Sequence, residues 1–344
     1  MDSSPLLTIV VPAYNAADYL VRALDPLRRV RRGIEVIVID DGSTDGTGRI
    51  ADRYADERPD AFRVIRQGNR GHGGAINAGL DAATGTYLKV LDADDWLSIP
   101  ALEALLATLE ILERGGGVDA VFTDYVHDRV GKSNRTTRFD SVFPERRLFE
   151  WAETSRFGNR QVLMMHAVVF RTALVRASGL RLPEHTFYVD NLYVLTPLAL
   201  VRSMYYLPVS LYHYFIGRAD QSVAADVMLR RVDQQLFVNR LALRTMPDPA
   251  AVARGDIPVA LQAAMAHYLE AVCAVTSATL ARGGSAEHLA KRAALWEEIR
   301  TEDPWLHAKL RRSFIGASSN LPTSAGRHVT RLAYSVARRV VGFS

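Results

Sequence analysis

Short β-branched apolar runs that stop at Pro, Gly or Asp alternate with helical spacings of apolar residues, strand then helix, four times within about 120 residues. The runs are Leu6–Val11, Ile34–Ile39, Phe62–Ile65 and Thr86–Leu91, with a further one at Val118–Thr123 and, well beyond the repeat, a short strand expected at Met204–Leu207. Between them lie helical stretches at Ala16–Arg29, with Asn15 as its expected N-cap, at Thr47–Tyr54, up to Ala83, and at Ile99–Glu113. No other feature narrows the fold so far. Parallel strands need crossovers of about a dozen residues, and the repeat supplies them. The pattern therefore predicts an α/β fold, a doubly wound and mostly parallel sheet with right-handed crossovers. Ligands of such sheets bind beyond the carboxyl ends of the strands. Both acidic clusters of this region, Asp40-Asp41 and Asp92-Ala93-Asp94-Asp95, fall at such ends.

At 344 residues the chain has room for two domains, or for one enzyme-sized domain with an appendage. From Asp226 onward the spacing is helical, over Val227–Met246, Pro258–Leu280, Glu287–Ile299, Pro304–Phe314 and His328–Val341. The expected division is a domain over 1–222, in halves of about 6–125 and 126–222, followed by a helical C-terminal region over 223–344. Apolar residues at 48% and charged residues at 23% exclude a collagenous, mucin-like or largely disordered chain. The lone cysteine, Cys273, excludes a disulfide framework and a Cys-based metal centre, and its apolar helical setting reads as a packed thiol. No uninterrupted apolar run reaches ~18 residues, and the first apolar run lacks a basic flank. Neither a spanning helix nor a signal peptide is expected, which points to the cytoplasm.

The net charge of +4 is uneven. Seven bases and no acid lie between Pro304 and Ser344, which leaves −3 for the first 303 residues. A nucleic-acid binder carries its basic surface on the folded domain, so no nucleic-acid partner is expected. Within residues 327–344, Val329, Leu332, Ala333, Val336 and Val340 share one helical face, and Arg327, Arg331 and Arg338 share another. Such a basic amphipathic helix suits peripheral contact with an anionic membrane. Packing on the helical region or on a second subunit, in a homo-oligomer, is the other reading.

Three carboxylates within Asp92–Asp95 repel one another unless a cation lies among them. Mg2+ and Mn2+ favour one or two carboxylates with phosphate oxygens and water. An acidic cap on the following helix is the alternative. An EF-hand is excluded, because Leu97 stands where that loop needs Gly. Asp41 and Ser43 suit hydrogen bonding to a polar heterocycle, or an Asx turn that caps the next helix. The Gly68–Gly74 run could bring backbone close to a phosphate or form a plain tight turn, and it lacks the Lys-Ser/Thr of a P-loop.

Taken in order, Pro12-Ala13-Tyr14-Asn15, Asp40-Asp41-Gly42-Ser43, Gly71-His72-Gly73-Gly74-Ala75-Ile76-Asn77-Ala78-Gly79 and Gly85-Thr86-Tyr87 leading to Leu91-Asp92-Ala93-Asp94-Asp95 are far more specific than any one element. The series resembles the family 2 glycosyltransferases, inverting enzymes of the GT-A fold, strongly over residues 6–125 and more loosely over 160–222. That resemblance implies a GT-A-like sheet and a nucleotide-sugar donor, most often a UDP-sugar. It implies transfer of a hexosyl or N-acetylhexosaminyl group to a hydroxyl of a glycan, cell-surface polymer or lipid-linked acceptor, with Mg2+ or Mn2+ as cofactor. It assigns the uracil to Asp41, and the metal against the donor diphosphate to Asp92 and Asp94. Pro12, Tyr14, Asn15, Ser43, Gly71, Asn77 and Ala93 would complete the donor site, with Arg218 and Ser222 reaching the diphosphate from a closing segment. The catalytic base would be Asp190, in Pro183–Asn191, although Val189 stands where the family carries Glu. Such an enzyme would sit in the cytoplasm, peripheral on the inner face of the cell membrane if its acceptor is lipid-linked.

Two rival readings follow from departures in the pattern. Val189 allows a non-catalytic nucleotide-sugar-binding module. A nucleotidyltransferase shares α/β topology and metal use, but would carry a Gly-rich basic loop where Pro12-Ala13-Tyr14-Asn15 stands.

Overall fold

The computed structural model describes residues 5–216 and 224–312. Arg218, Ser222 and the 327–344 tail lie outside the described residues. Among the described residues the strands are β1 Leu7–Ala13, β2 Ile34–Asp40, β3 Phe62–Arg66, β4 Tyr87–Val90, β5 Trp96–Leu97, β6 Ala120–Arg129, β7 Arg135–Thr137, β8 Leu148–Phe149, β9 Val168–Arg171 and β10 Met204–Ile216. They form a mixed sheet in the order β3-β2-β1-β4-β9-β6-β10-β5, with β7 on β6 and β8 on β10. The β3-β2-β1-β4 core is parallel, as the strand–helix repeat predicts. Strand β9 enters antiparallel to both β4 and β6.

Every residue of β1 is buried, because helices cover both faces of a parallel sheet. Its crossover helices are α1 Ala17–Arg28, α2 Thr47–Glu57, α3 Gly71–Ala82 and α4 Ile99–Arg114. Leu20, Ala23, Leu24 and Leu27 form the buried stripe of α1, and Leu102, Leu105, Leu106, Leu109 and Leu112 that of α4. Each such leucine, fully buried, contributes roughly 1.5–3 kcal/mol. Helices α5 Thr172–Ala177 and α6 Asp190–Leu198 follow, and Pro197 lies in the last turn of α6, where it withdraws one backbone donor.

Three sequence readings are corrected. The Gly71–Gly74 run is the first turn of α3, not a loop before it. Asn15 does not cap α1; Ala16 stands at that position without a side-chain cap. Strand β10 runs 13 residues, far beyond the expected Met204–Leu207, because intermittent burial along it hides a clean alternation.

The described residues divide into two compact units. One comprises residues up to Ser155 together with Leu163–Phe215; the other comprises Arg156–Val162 together with the residues from Ile216 onward. The second unit is helical: α7 Ala225–Arg230, α8 Val232–Leu243, α9 Pro249–Ala253, α10 Val259–Gly283, α11 Ala286–Glu302 and α12 Pro304–Arg312. Helix α10 is long and apolar enough to cross a membrane by length and composition alone, but 61% of its apolar window is buried in the folded chain. Cys273 lies on it, fully buried, with its thiol pushed up to about 12 by that burial.

Candidate functional site

The acidic clusters meet at the carboxyl edge of the parallel core. Beyond β1 and β2 the chain is stitched together by side chains. Asn15 N donates to Ser43 Oγ at 3.1 Å, and Thr44 N donates to Asn15 Oδ1 at 2.9 Å. Asn15 adopts φ +47° to make this turn, a conformation Asn tolerates better than most residues. Ser43 N donates to Asp40 Oδ1, and Thr47 N to Asp45 Oδ1. Asp45 therefore makes the Asx turn at the start of α2, while Asp41 is held differently. Asp41 is buried, and its Oδ1 accepts from Gln67 Nε2 at 2.6 Å and from Arg70 N at 2.9 Å. Both bonds fall on Oδ1, which leaves Oδ2 for an incoming N–H. Pro12 is buried in β1, and Tyr14 is 53% exposed beside it.

Asp92 and Asp94 are half-buried and Asp95 is fully buried. Tyr212 orders this turn: its hydroxyl donates to Asp95 Oδ2 at 2.6 Å and accepts from Asp92 N at 3.2 Å. Phe215 N donates to Asp95 Oδ1 at 2.8 Å. Arg22 Nη2 donates to the Asp94 carbonyl, with its guanidinium over the rings of Trp96 and Phe215 at 4.5 and 4.1 Å. Trp96 also stacks on His213 at 5.0 Å, so it is a packing residue. Asp95 thus anchors the turn. Its carboxyl is pushed well up by burial and by its neighbours Asp94 and Asp92. The half-buried Asp92 and Asp94 are hard oxygen donors of the kind a divalent cation and a diphosphate need.

Asp190 opens α6 without a side-chain capping bond at that end. Burial pushes its carboxyl up to about 6, His72 opposes the shift and Asp92 adds to it. The charges of His72 and Asp92 are thus both felt at Asp190. His72 Nε2 lies 2.9 Å from Asp92 Oδ1. Burial lowers this imidazole, but Asp92, Asp190 and Asp94 outweigh that and raise it overall. Glu184, in the same Pro183–Asn191 segment, is ion-paired with Arg70, which holds it below the usual carboxylate range. Val189 is fully buried, so the position where the family carries an acid is here a core site.

The glycines of α3 position Asp190. A Cβ on Gly73 would lie 2.3 Å from the Pro183 carbonyl, and one on Gly71 would lie 2.9 Å from the His185 backbone. Asn77, expected among the donor contacts, instead clamps the same segment. Its Nδ2 donates to Leu182 O at 2.9 Å, and Leu182 N donates to its Oδ1 at 3.0 Å. His185 and Tyr188 take φ of +50° and +67° on the way to Asp190, strain of ~1–3 kcal/mol each that the clamp must hold.

Sequence reasoning passed over Lys89. It is fully buried in β4, and its Nζ donates to the carbonyls of Met165, His166 and Val168 at 3.4, 2.9 and 3.3 Å. Burial pulls its ammonium down to about 7. A lysine inside an otherwise apolar strand was the available signal.

Residues 8–175 match the model of glycosyl transferase family 2. The EpsH protein of Bacillus subtilis (strain 168) is 28% identical over 252 residues, covering 70% of this chain and 67% of that protein. The succinoglycan biosynthesis protein ExoO of Rhizobium meliloti is 44% identical over 96 residues, 28% of this chain and 27% of its own length. Among solved structures, S. aureus TarS 1-349 in complex with UDP-GlcNAc superposes with a TM-score of 0.65 at 16% identity, covering 98% of this chain and 92% of that one. The mannosyltransferase PcManGT from Pyrobaculum calidifontis, in complex with GDP-Man and Mn2+, gives 0.54 at 18% identity, covering 98% and 87%. At these identities the structural likeness establishes the fold, a GT-A-like sheet with a helical C-terminal region.

Proposed function

From a chain whose residues 8–175 belong to glycosyl transferase family 2, we propose an inverting glycosyltransferase that moves a sugar from a nucleotide-sugar donor, a UDP-sugar, to a hydroxyl of a glycan, cell-surface polymer or lipid-linked acceptor. One observation carries the reading: a half-buried carboxylate held near 6, Asp190, lies in electrostatic contact with the Asp92 turn at the carboxyl edge of the sheet. A base poised near neutral pH beside a cluster of hard oxygen donors suits attack of a hydroxyl on an anomeric carbon whose leaving group is a diphosphate.

Each residue has a task in this reading. Asp41 accepts the uracil N–H on Oδ2, and Tyr14 lies beside the same end of the sheet. Asp92 and Asp94 would hold Mg2+ or Mn2+, which when bound neutralises charge on the departing diphosphate. Asp190 takes the proton from the acceptor hydroxyl as that oxygen attacks. The C–O bond to the diphosphate breaks from the opposite face, so one displacement inverts the anomeric carbon. Asn77 and the α3 glycines keep Asp190 in register. The buried Val189 favours a second reading, a module that binds the donor without turning it over. A thermal-shift panel of UDP-, GDP- and CDP-sugars with Mn2+ tests the donor class, and Mn2+-dependent release of UDP separates the two readings. No stabilisation by any nucleotide sugar would remove both.

A further inference from the structure

Beneath the acidic turn lies a side chain that the proposed reaction does not use. His166 is 3% exposed, and neither ring nitrogen has a hydrogen-bond partner. Three tyrosine rings wall it in: Tyr212 at 4.5 Å, Tyr214 at 4.6 Å and Tyr125 at 5.5 Å between centroids. The imidazole is thereby kept from turning out to water. Its own peptide is pinned as well, because Lys89 Nζ binds the carbonyl of His166 and those of Met165 and Val168. A buried ring nitrogen without a partner is costly. One that is also fixed in direction points to a ligand.

What the ring meets defines that ligand. One oxygen each from Asp92 and Asp95 and one ring nitrogen of His166 lie within 4.8 Å of one another. Nε2 stands 4.0 Å from Asp95 Oδ2, close to the ~4.2 Å that separates two ligands across a cation at ~2.1 Å. Asp95 already accepts one hydrogen bond on each oxygen, and each oxygen keeps a second lone pair. Asp92, 27% exposed at its side chain, gives the cluster its way out to solvent.

Resting on the donor-site reading above, in which Asp92 and Asp94 hold the divalent cation, we propose that His166 adds a nitrogen ligand to that cation, with Asp95 as a further oxygen beside Asp92. Lys89 is then a positioning residue that acts through His166, as outer partners of ligating histidines commonly do. An imidazole ligand biases the site away from Mg2+, which prefers oxygen and octahedral geometry, and toward a first-row ion such as Mn2+.

The test is pulsed electron paramagnetic resonance of Mn2+ bound to the full chain, alone and with UDP. Directly bound imidazole imprints 14N modulation on the Mn2+ signal. The expected result is modulation in the wild type, kept in His72→Gln and lost in His166→Gln. Titration calorimetry with UDP present should show the preference for Mn2+ over Mg2+ falling at least about tenfold in His166→Gln. If that variant does not fold, the wild-type spectrum and the His72→Gln spectrum still decide. Mn2+ that binds with UDP but shows no nitrogen coupling overturns the assignment and leaves the donor site standing; an ordered water on His166 would give that result. Coupling lost in His72→Gln and kept in His166→Gln assigns the nitrogen to the wrong ring and overturns it too. A wild type that binds no cation with UDP overturns the donor-site reading itself.

Discussion

Asp190 is where the proposed chemistry is most exposed to test. Its carboxyl, raised by burial to about 6, must be ionised to accept a proton. Turnover should therefore hold above that pH and fall roughly tenfold per unit below it, which a kcat profile from pH 4.5 to 8 would read. Asp190→Asn should keep UDP affinity and lose ~10²–10⁴-fold in transfer; near-normal turnover would return the role to another group. Asp41 makes a separate prediction. With Oδ1 committed to Gln67 and Arg70, Oδ2 should favour UDP over CDP, since uracil donates a ring N–H and cytosine does not. Equal calorimetric affinities would count against it. Lys89→Met should lower unfolding stability by ~2 kcal/mol or more, because three buried carbonyls lose a charged donor; a denaturant midpoint unchanged from wild type would show that water replaces it. At this scale the sequence singled out Asp41, Asp92 and Asp190 as candidates because they stand in short motifs. His166 and Lys89 were not legible in this way, since their partners lie some 77 residues apart in the chain and only the fold unites them.

Helix α3 is the element on which the site geometry turns. Its glycines read from the sequence as a tight turn at the start of a helix, since glycine is a poor helix former. The structure shows the physical reason they are tolerated there: a second segment lies where side chains would project. Gly73→Ala would put a Cβ 2.3 Å from the Pro183 carbonyl, and backbone cannot yield as a flexible side chain can. The expected result is a drop in kcat larger than the change in UDP affinity, as the chain leading to Asp190 shifts. Gly68→Ala, where nothing lies within 4 Å of the added carbon, is the control and should behave as wild type. Equal behaviour of the two variants would detach α3 from catalysis. The parallel strands and their helices were legible because burial on both faces gives continuous apolar runs. Strand β10 was not, because its burial is intermittent over 13 residues.

For the molecule as a whole, the uneven charge of the chain carries one more prediction. We propose that residues 327–344 attach it reversibly to anionic lipid. Four arginines at about 1 kcal/mol each supply on the order of 3–4 kcal/mol, enough for exchange but not for permanent anchoring. Full-length protein should sediment with anionic liposomes at low salt and be released at high salt, and a chain ending at 326 should stay in solution. Salt-independent or absent sedimentation of the full chain would assign the tail to packing instead. The partition of the chain has a consequence of another kind, in time. Seven residues, Arg156–Val162, belong to the helical unit although sheet strands precede and follow them. Within that unit Phe157 stacks on His267 at 5.5 Å, and His267 contacts the Gln161 carbonyl. A ribosome adding ~5–20 residues per second needs on the order of 5–20 s to pass from Val162 to His267. For that interval Phe157 waits without the ring it stacks on, so these seven residues take their final place only after the helix that carries His267 has been made.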